Sequence, residues 1–312
     1  MLTGNRSVVT GLKVVLFAVL TYVLVHQILQ PDFGQEVSRF NARLQVAPLW
    51  YLLLAMALMP VNWLTEAVKW KWLLQTQVSI SDLLKGVLAG ITFGLVTPGR
   101  SGEFIGRVLY VKQMDSARVF YLSSLGGIAQ TVVTLVVGTF FLAWWSGDQL
   151  YTGIAIGLTV VFLLLYFRFD VLSNLLRKIP LLVGYGWVLD NAHLPSPAMA
   201  MQVLLISFIR YSIYLLQYVL LGLYFGVSDS YTALFVYSGV LLVMQTFSPL
   251  LPLLDVSFRG VVALYVFASL TGDHLSVLCM VTGIWFINLV APALMGYLFI
   301  LRRTNYMHAV RG

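Results

Sequence analysis

The chain has 312 residues, 60% of them hydrophobic and 14% aromatic, with only 10% charged. A water-soluble domain carries about 25% charged residues, so this composition cannot cover a soluble surface and marks an integral membrane protein. The net charge of +7 would suggest nucleic acid in a soluble protein. Here the basic residues sit between apolar runs, where they set topology and meet anionic lipid.

No zinc-ligand spacing, phosphate-binding Gly-Lys-Ser/Thr loop or stacking-aromatic RNA motif is present. The single Cys279 excludes an internal disulfide and a cysteine-based metal site. No cofactor, metal or nucleic-acid partner is expected.

In chain order, residues 8–29 hold an apolar run that follows Arg6 and Lys13 and gives way to His26-Gln27-Ile28-Leu29-Gln30-Pro31 without a small-residue cleavage site. They are expected to form an uncleaved first spanning helix. An outer amphipathic segment over 31–47 leads to a second span at 48–68. Residues 83–113 are apolar but interrupted between Pro98 and Arg107. Spans follow at 118–145 and 150–167.

A basic linker over 168–200, with Pro195-Ser-Pro197, joins the next span at 200–224. Residues 232–270 are again apolar and interrupted, between Pro249 and Arg259, and a last span covers 276–301. A crossing helix needs about 20 residues, and each limb of the two interrupted segments has about 15. Backbone freed at membrane depth must be buried in protein or line a wet cavity. Two re-entrant helical hairpins satisfy this better than four thin spans.

With the N-terminus inside, thirteen Lys and Arg fall at inner ends, from Arg6 and Lys13 through Lys69 to Arg302, Arg303 and Arg311. The outer loops hold Arg39 and Arg43 with five acids. The two halves also echo one another. Asn62-Trp63, Glu66 and Lys69-Trp70 share their spacing with Arg210-Tyr211, Tyr214 and Gln217-Tyr218, offset by 148. Pro98 and Phe104-Ile-Gly106 match Pro252 and Phe258-Arg-Gly260, offset by 154.

The expected fold is therefore all-α: about six spanning helices and two re-entrant hairpins (83–113 and 232–270), arranged as an inverted repeat of 1–149 and 150–312. Interrupted helices in corresponding positions of inverted halves point to a midplane transport site.

Charge inside a membrane needs a partner. Arg100, Glu103 and Arg107 have helical spacing. Thr97 or Ser101 can cap a helix opening after Pro98, and Gly99 and Gly102 allow a tight turn with free amides. Arg beside such amides suits a phosphate, and an Arg-Glu-Arg cluster pinning the hairpin is the structural alternative. In the second hairpin Asp255, Ser257 and Arg259 take the matching place. Arg210, midway along its apolar run, calls for an acid, and Asp255 is the first candidate. Glu66 is expected to pair with Lys69, Arg100 or Arg107, and Lys69 to reach the interface.

The four histidines lie at ends or in loops without a second ligand, and Trp50, Trp70, Trp72, Trp144 and Trp145 read as an interfacial belt.

Pro98-Gly-Arg-Ser-Gly-Glu103-Phe-Ile-Gly-Arg107, followed by a long apolar helix, resembles the Pro-x-Arg-x-Gly-Glu signature of the lysylphosphatidylglycerol synthase transmembrane family. The helices around Asn62 and Arg210 are similar to those of its short stand-alone bacterial members. In the multiple peptide resistance factors of that family, such a flippase-like domain is fused to a cytoplasmic aminoacyl-transferase. The resemblance here covers only the membrane part, so it implies a transporter and no synthase activity. It places Arg100, Gly102, Glu103 and Arg107 in a polar site. The second hairpin departs from the family's Pro-x-Gly-x-Gly-x-Arg-Glu pattern, keeping Arg259 and Gly260 without the Glu. An aminoacylated-lipid substrate is therefore not carried over.

The expected function is a flippase or scramblase for a phospholipid or other anionic or zwitterionic amphipathic lipid. It would work in the bacterial inner membrane with both termini cytoplasmic, driven by the lipid gradient or by a proton on Glu103, Glu66 or Asp255. The alternatives are a lipid-headgroup-modifying enzyme, a partner subunit of a soluble lipid-modifying enzyme, or a small-solute carrier. A homodimer is compatible with all of them.

Overall fold

Long runs of Leu, Val, Ile and Phe without strand-like alternation favour helices, because a helix satisfies its own backbone where water is absent. In the computed structural model, residues 14–311 are described apart from 16–17, 23–24, 27–32, 76, 98–99, 112–113, 169–195, 247 and 249–254. The described elements are α1 (Phe33–Val46), α2 (Leu49–Leu74), α3 (Ile80–Leu95), α4 (Glu103–Tyr110), α5 (Ser116–Ser146) and α6 (Gln149–Phe167). They continue with α7 (Pro197–Phe225), α8 (Tyr231–Gln245), α9 (Asp255–Phe267), α10 (His274–Trp285), a π-helical turn (Phe286–Val290) and α11 (Ala291–Arg311). The protein is all-α.

Five stretches are long and apolar enough to cross a membrane: Leu49–Leu74, Arg118–Ser146, Gln149–Phe167, Pro197–Phe225 and His274–Arg302. They coincide with the five later spans read from the sequence. The expected first span, 8–29, and most of the 168–200 linker fall largely outside the described residues. The protein is a multi-pass membrane protein, and its outward faces carry the apolar side chains that lipid requires. On α6, Ile154, Ile156, Val160 and Leu164 are all exposed.

Helix ends follow local chemistry. Ser79, Ser196, Ser230 and Asp273 accept backbone amides at the starts of α3, α7, α8 and α10. The expected outer segment is the helix α1, tied down by Arg43 to Asp229 at 2.6 Å and by His274 to Glu36 at 3.1 Å.

The most extensive packing joins α2 to α7. The Gln217 side-chain amide donates to the Ala55 carbonyl at 2.8 Å in that seam. Each interrupted segment folds into an antiparallel helix pair. In α3–α4, Gly86 lies beside Tyr110, Gly90 beside Glu103 and Gly94 beside Arg100. A Cβ on Gly90 would sit 2.7 Å from the Glu103 carbonyl oxygen, and one on Gly106 would overlap the Gly90 backbone. Two helices approach this closely only through small residues. In α8–α9, the Tyr237 ring packs at a tilt on Phe267, and its hydroxyl lies 2.9 Å from that of Ser269.

The two pairs are gripped by spans from the other end of the chain. α3 packs on α11, where Thr92 donates to the Ala293 carbonyl at 2.8 Å and Gly296 abuts the Leu88 carbonyl. α8 packs on α5, where Gly138 abuts Val243 and Gly239 abuts the Phe141 ring.

Candidate functional site

Glu66 is the hub of the first charged cluster. It projects from mid-α2, is 5% exposed, and takes three cations at once. Lys69 Nζ lies 2.8 Å from its Oε2, Arg107 Nη2 lies 2.9 Å from its Oε1, and Arg210 Nη1 also bonds Oε2. Arg107 reaches on to Glu103 at 3.1 Å and lies over the Trp70 ring at 4.3 Å, a cation–π contact. Arg100 pairs with Glu103. Arg210 also donates from Nε to Asn62 Oδ1 at 2.8 Å. A buried ion cluster survives when every charge has a partner and its remaining hydrogen bonds are met.

Three expectations change here. Arg210 binds Glu66 and Asn62, not Asp255. The reason is packing: the α2–α7 seam sets Arg210 directly across from Glu66. Lys69 does not reach the interface. It is 1% exposed, held by Glu66 and by the Gly126 carbonyl at 3.2 Å. Trp70 does not join the interfacial belt, because it is buried beneath Arg107. Trp50, Trp72 and Trp144 are exposed.

The loop that positions Arg100 is built on Thr97. Its hydroxyl oxygen accepts the Gly102 amide at 2.7 Å, which closes the loop; α4 starts at Glu103 with Gly102 at its N-cap, so neither Thr97 nor Ser101 supplies the expected side-chain cap. Gly102 keeps an ordinary φ of −68°, and its lack of a side chain serves close approach: a Cβ there would lie 2.6 Å from the Phe93 carbonyl oxygen. The left-handed residue is Arg100, at φ 57°. A non-glycine in that region is uncommon and costs energy, and such residues cluster at functional sites.

The second cluster is smaller. Asp255 opens α9 and bonds Arg259 one turn on, and Ser248 donates to its other oxygen. Arg259 Nη1 donates to Gln245 Oε1 at 2.9 Å, which also accepts the Tyr218 hydroxyl at 3.2 Å. Ser257 lies apart from this group, its hydroxyl 3.1 Å from that of Thr21.

Two adjoining cavities connect the clusters. The larger, about 790 Å³, is lined on its polar side by Glu66, Lys69, Arg100, Ser101, Glu103 and Arg107. Phe120, Leu135, Phe162 and Leu165 supply an apolar wall. The smaller, about 440 Å³, lies among α2, α5, α7 and the α8–α9 pair and includes Asp255 and Arg259. Arg100, Ile91, Gln130, Thr131 and Arg210 line both. Ser257 and Gly102 line neither.

Among the described residues no group of three or more His, Cys, Asp or Glu side chains could hold a metal ion.

A sequence profile described as the lysylphosphatidylglycerol synthase TM region matches residues 10–254. The chain belongs to this family. Comparison with curated proteins and with solved structures gives no match. The lysylphosphatidylglycerol synthase TM-region match covers the whole Glu66 cluster, Arg210 and α8, and stops one residue before Asp255. No synthase domain is matched.

Sequence reasoning missed several polar residues of the cavities: Gln130, Gln245, Ser248 and Asn288, with Asn62 noticed only for its spacing. Single uncharged amides inside apolar runs carry little periodic signal. The π-turn at 286–290, which carries Asn288 to the small cavity, had no sequence mark at all. Such turns recur at functional sites.

Proposed function

We propose that this protein translocates amphipathic lipids across a bilayer, as a flippase or scramblase. The headgroup crosses through the two adjoining polar cavities while the acyl chains stay in apolar surroundings. The observation that carries this is the joined pair of cavities sharing Arg100, Gln130 and Arg210, with ionic residues on one side and Phe120, Leu135, Phe162 and Leu165 on the other. A charged group with an apolar tail matches both linings.

The inverted-repeat reading has support in the packing. Asn62 and Arg210, equivalent at the 148-residue offset, hydrogen-bond each other, as residues near a pseudo-two-fold axis do. α3 grips α11 at Gly296, and its counterpart α8 grips α5 at Gly138, so the first limb of each pair packs on the last span of the opposite half. At 1.5 Å per residue, α3, α4, α8 and α9 run from about 12 to about 24 Å, short of the ~30 Å hydrocarbon core. That favours re-entrant pairs whose tips meet near the midplane. We place the protein in the bacterial inner membrane with both termini inside, on the positive-inside bias.

The test is a proteoliposome assay with fluorescent lipids read by leaflet-selective quenching, comparing wild type with Arg100→Ala and Glu103→Gln. Folded variants that lose translocation support the proposal. Wild-type protein that moves none of the lipids sinks it.

A further inference from the structure

We infer that the joined cavities select a net-anionic, hydroxylated phosphate headgroup and reject a cationic one. This rests on the translocation reading, and charge balance supplies the first argument. Lys69, Arg100, Arg107, Arg210 and Arg259 line the cavities, opposed by Glu66, Glu103 and Asp255. Five cations against three carboxylates leave a net charge of +2.

The carboxylates are also engaged. Glu66 takes Lys69, Arg107 and Arg210; Glu103 takes Arg100 and Arg107; Asp255 takes Arg259 and Ser248. No carboxylate is left to receive an ammonium headgroup. The surplus positive charge, in apolar surroundings, is stabilised by a bound anion. Arg100 stands at the junction of the two cavities, half exposed, with a planar fork suited to phosphate oxygens.

The second argument comes from the small cavity. Gln245 and Tyr211 line it at 5% and 2% exposure, yet Gln245 Nε2 and the Tyr211 hydroxyl have no hydrogen-bond partner among the described residues. Asn288 Oδ1, on the π-turn, is also buried and unpartnered there. Buried polar groups are seldom left this way unless something binds them. An amide donor, a hydroxyl that can do either, and a carbonyl acceptor together fit alcohol groups, which both donate and accept. A volume of about 440 Å³ lies within the range of small-molecule sites, about 300–1,000 Å³. The phosphate therefore sits against Arg100 and Arg210, with its polyol substituent towards Tyr211, Gln245 and Asn288.

A phospholipid headgroup and a free polyol phosphate share this chemistry, so the experiment separates them. Full-length protein in phosphatidylcholine nanodiscs is titrated with phosphatidylglycerol, phosphatidic acid or a dialkyl trimethylammonium lipid, and separately with aqueous glycerol 1-phosphate. Binding is read by tryptophan fluorescence, since Trp63 and Trp285 line the small cavity, and by thermal unfolding.

Phosphatidylglycerol is expected to bind about tenfold or more tightly than the cationic lipid, and glycerol 1-phosphate far more weakly than either anionic lipid. Tyr211→Phe and Asn288→Leu each weaken phosphatidylglycerol about three- to tenfold, the loss of one or two hydrogen bonds, and weaken phosphatidic acid less. Tyr211→Phe removes only a hydroxyl, so its folding is secure. Cationic lipid binding as well as phosphatidylglycerol, or both variants binding it unchanged, overturns the assignment.

The same lipids are then followed for translocation. A phosphatidylglycerol preference without movement supports the headgroup assignment and overturns the transport reading. Movement of every lipid at one rate, with no binding preference, does the reverse. Glycerol 1-phosphate binding as tightly as the lipid supports the headgroup chemistry and assigns it to a soluble phosphate ester.

Discussion

The α3–α4 and α8–α9 pairs are both antiparallel and are built differently. The first closes through Gly90 and Gly106 with its backbones nearly touching, and it is wired by Arg107 into α2 and by Glu66 onward to α7. The second keeps its ion pair to itself: Asp255 and Arg259 are one turn apart and lean on Ser248 and Gln245 of the same pair. One pair is part of an ionic network that runs through α2 to α7, and the other reaches α7 through a neutral hydrogen bond from Tyr218 to Gln245. Two helix pairs of the same antiparallel form need not share chemistry.

The largest expected effect tests that wiring. Glu66→Ala leaves Lys69, Arg107 and Arg210 without their shared carboxylate, and removing one side of a buried ion pair costs about 3–5 kcal/mol. Thermal unfolding in detergent should drop accordingly, and a drop no larger than that of Asp255→Ala would erase the contrast between the pairs. Next comes Gly106→Val, which drives a branched side chain into the Gly90 backbone. Overpacking costs about 1–3 kcal/mol or more, and limited proteolysis of the loop between α3 and α4 should accelerate.

Asp255→Ala should cost less than Glu66→Ala, about 1–3 kcal/mol, because Arg259 keeps Gln245 and is partly exposed. The smallest effect on stability is Arg100→Gly. Glycine accepts the φ of 57° freely, so the unfolding midpoint should hold or rise slightly, while lipid translocation falls. A variant that is both stable and active would move Arg100 out of the site.

Much of the charged lining of the two cavities was legible residue by residue. Arg100, Ser101, Glu103, Arg107, Arg210, Asp255, Arg259, Glu66 and Lys69 all line the two cavities. They could be found because an ionised side chain inside an apolar run is expensive and therefore conspicuous. Ser257 was chosen as part of the second hairpin's counterpart to the first cluster, and Gly102 for a tight turn with free amides and by the family resemblance. One faces Thr21, and the other serves as a packing gap under Phe93.

Pairing was less legible. Arg210 found Glu66 rather than Asp255, since partner choice depends on which helices cross. The five described spans followed from hydrophobic length alone, because a bilayer sets one length scale for every crossing helix.

The sequence by itself determined that this is an all-α membrane protein, where its helices run and which charges lie within them. Those properties follow from local solvation and backbone hydrogen bonding. Only the tertiary structure decided that Glu66 gathers three cations, that Trp70 and Lys69 are buried, that Gln245, Tyr211 and Asn288 border one cavity, and that Arg100 stands between two. Each depends on which helix faces meet, and neutral polar side chains in apolar runs carry no local signal of what lies opposite.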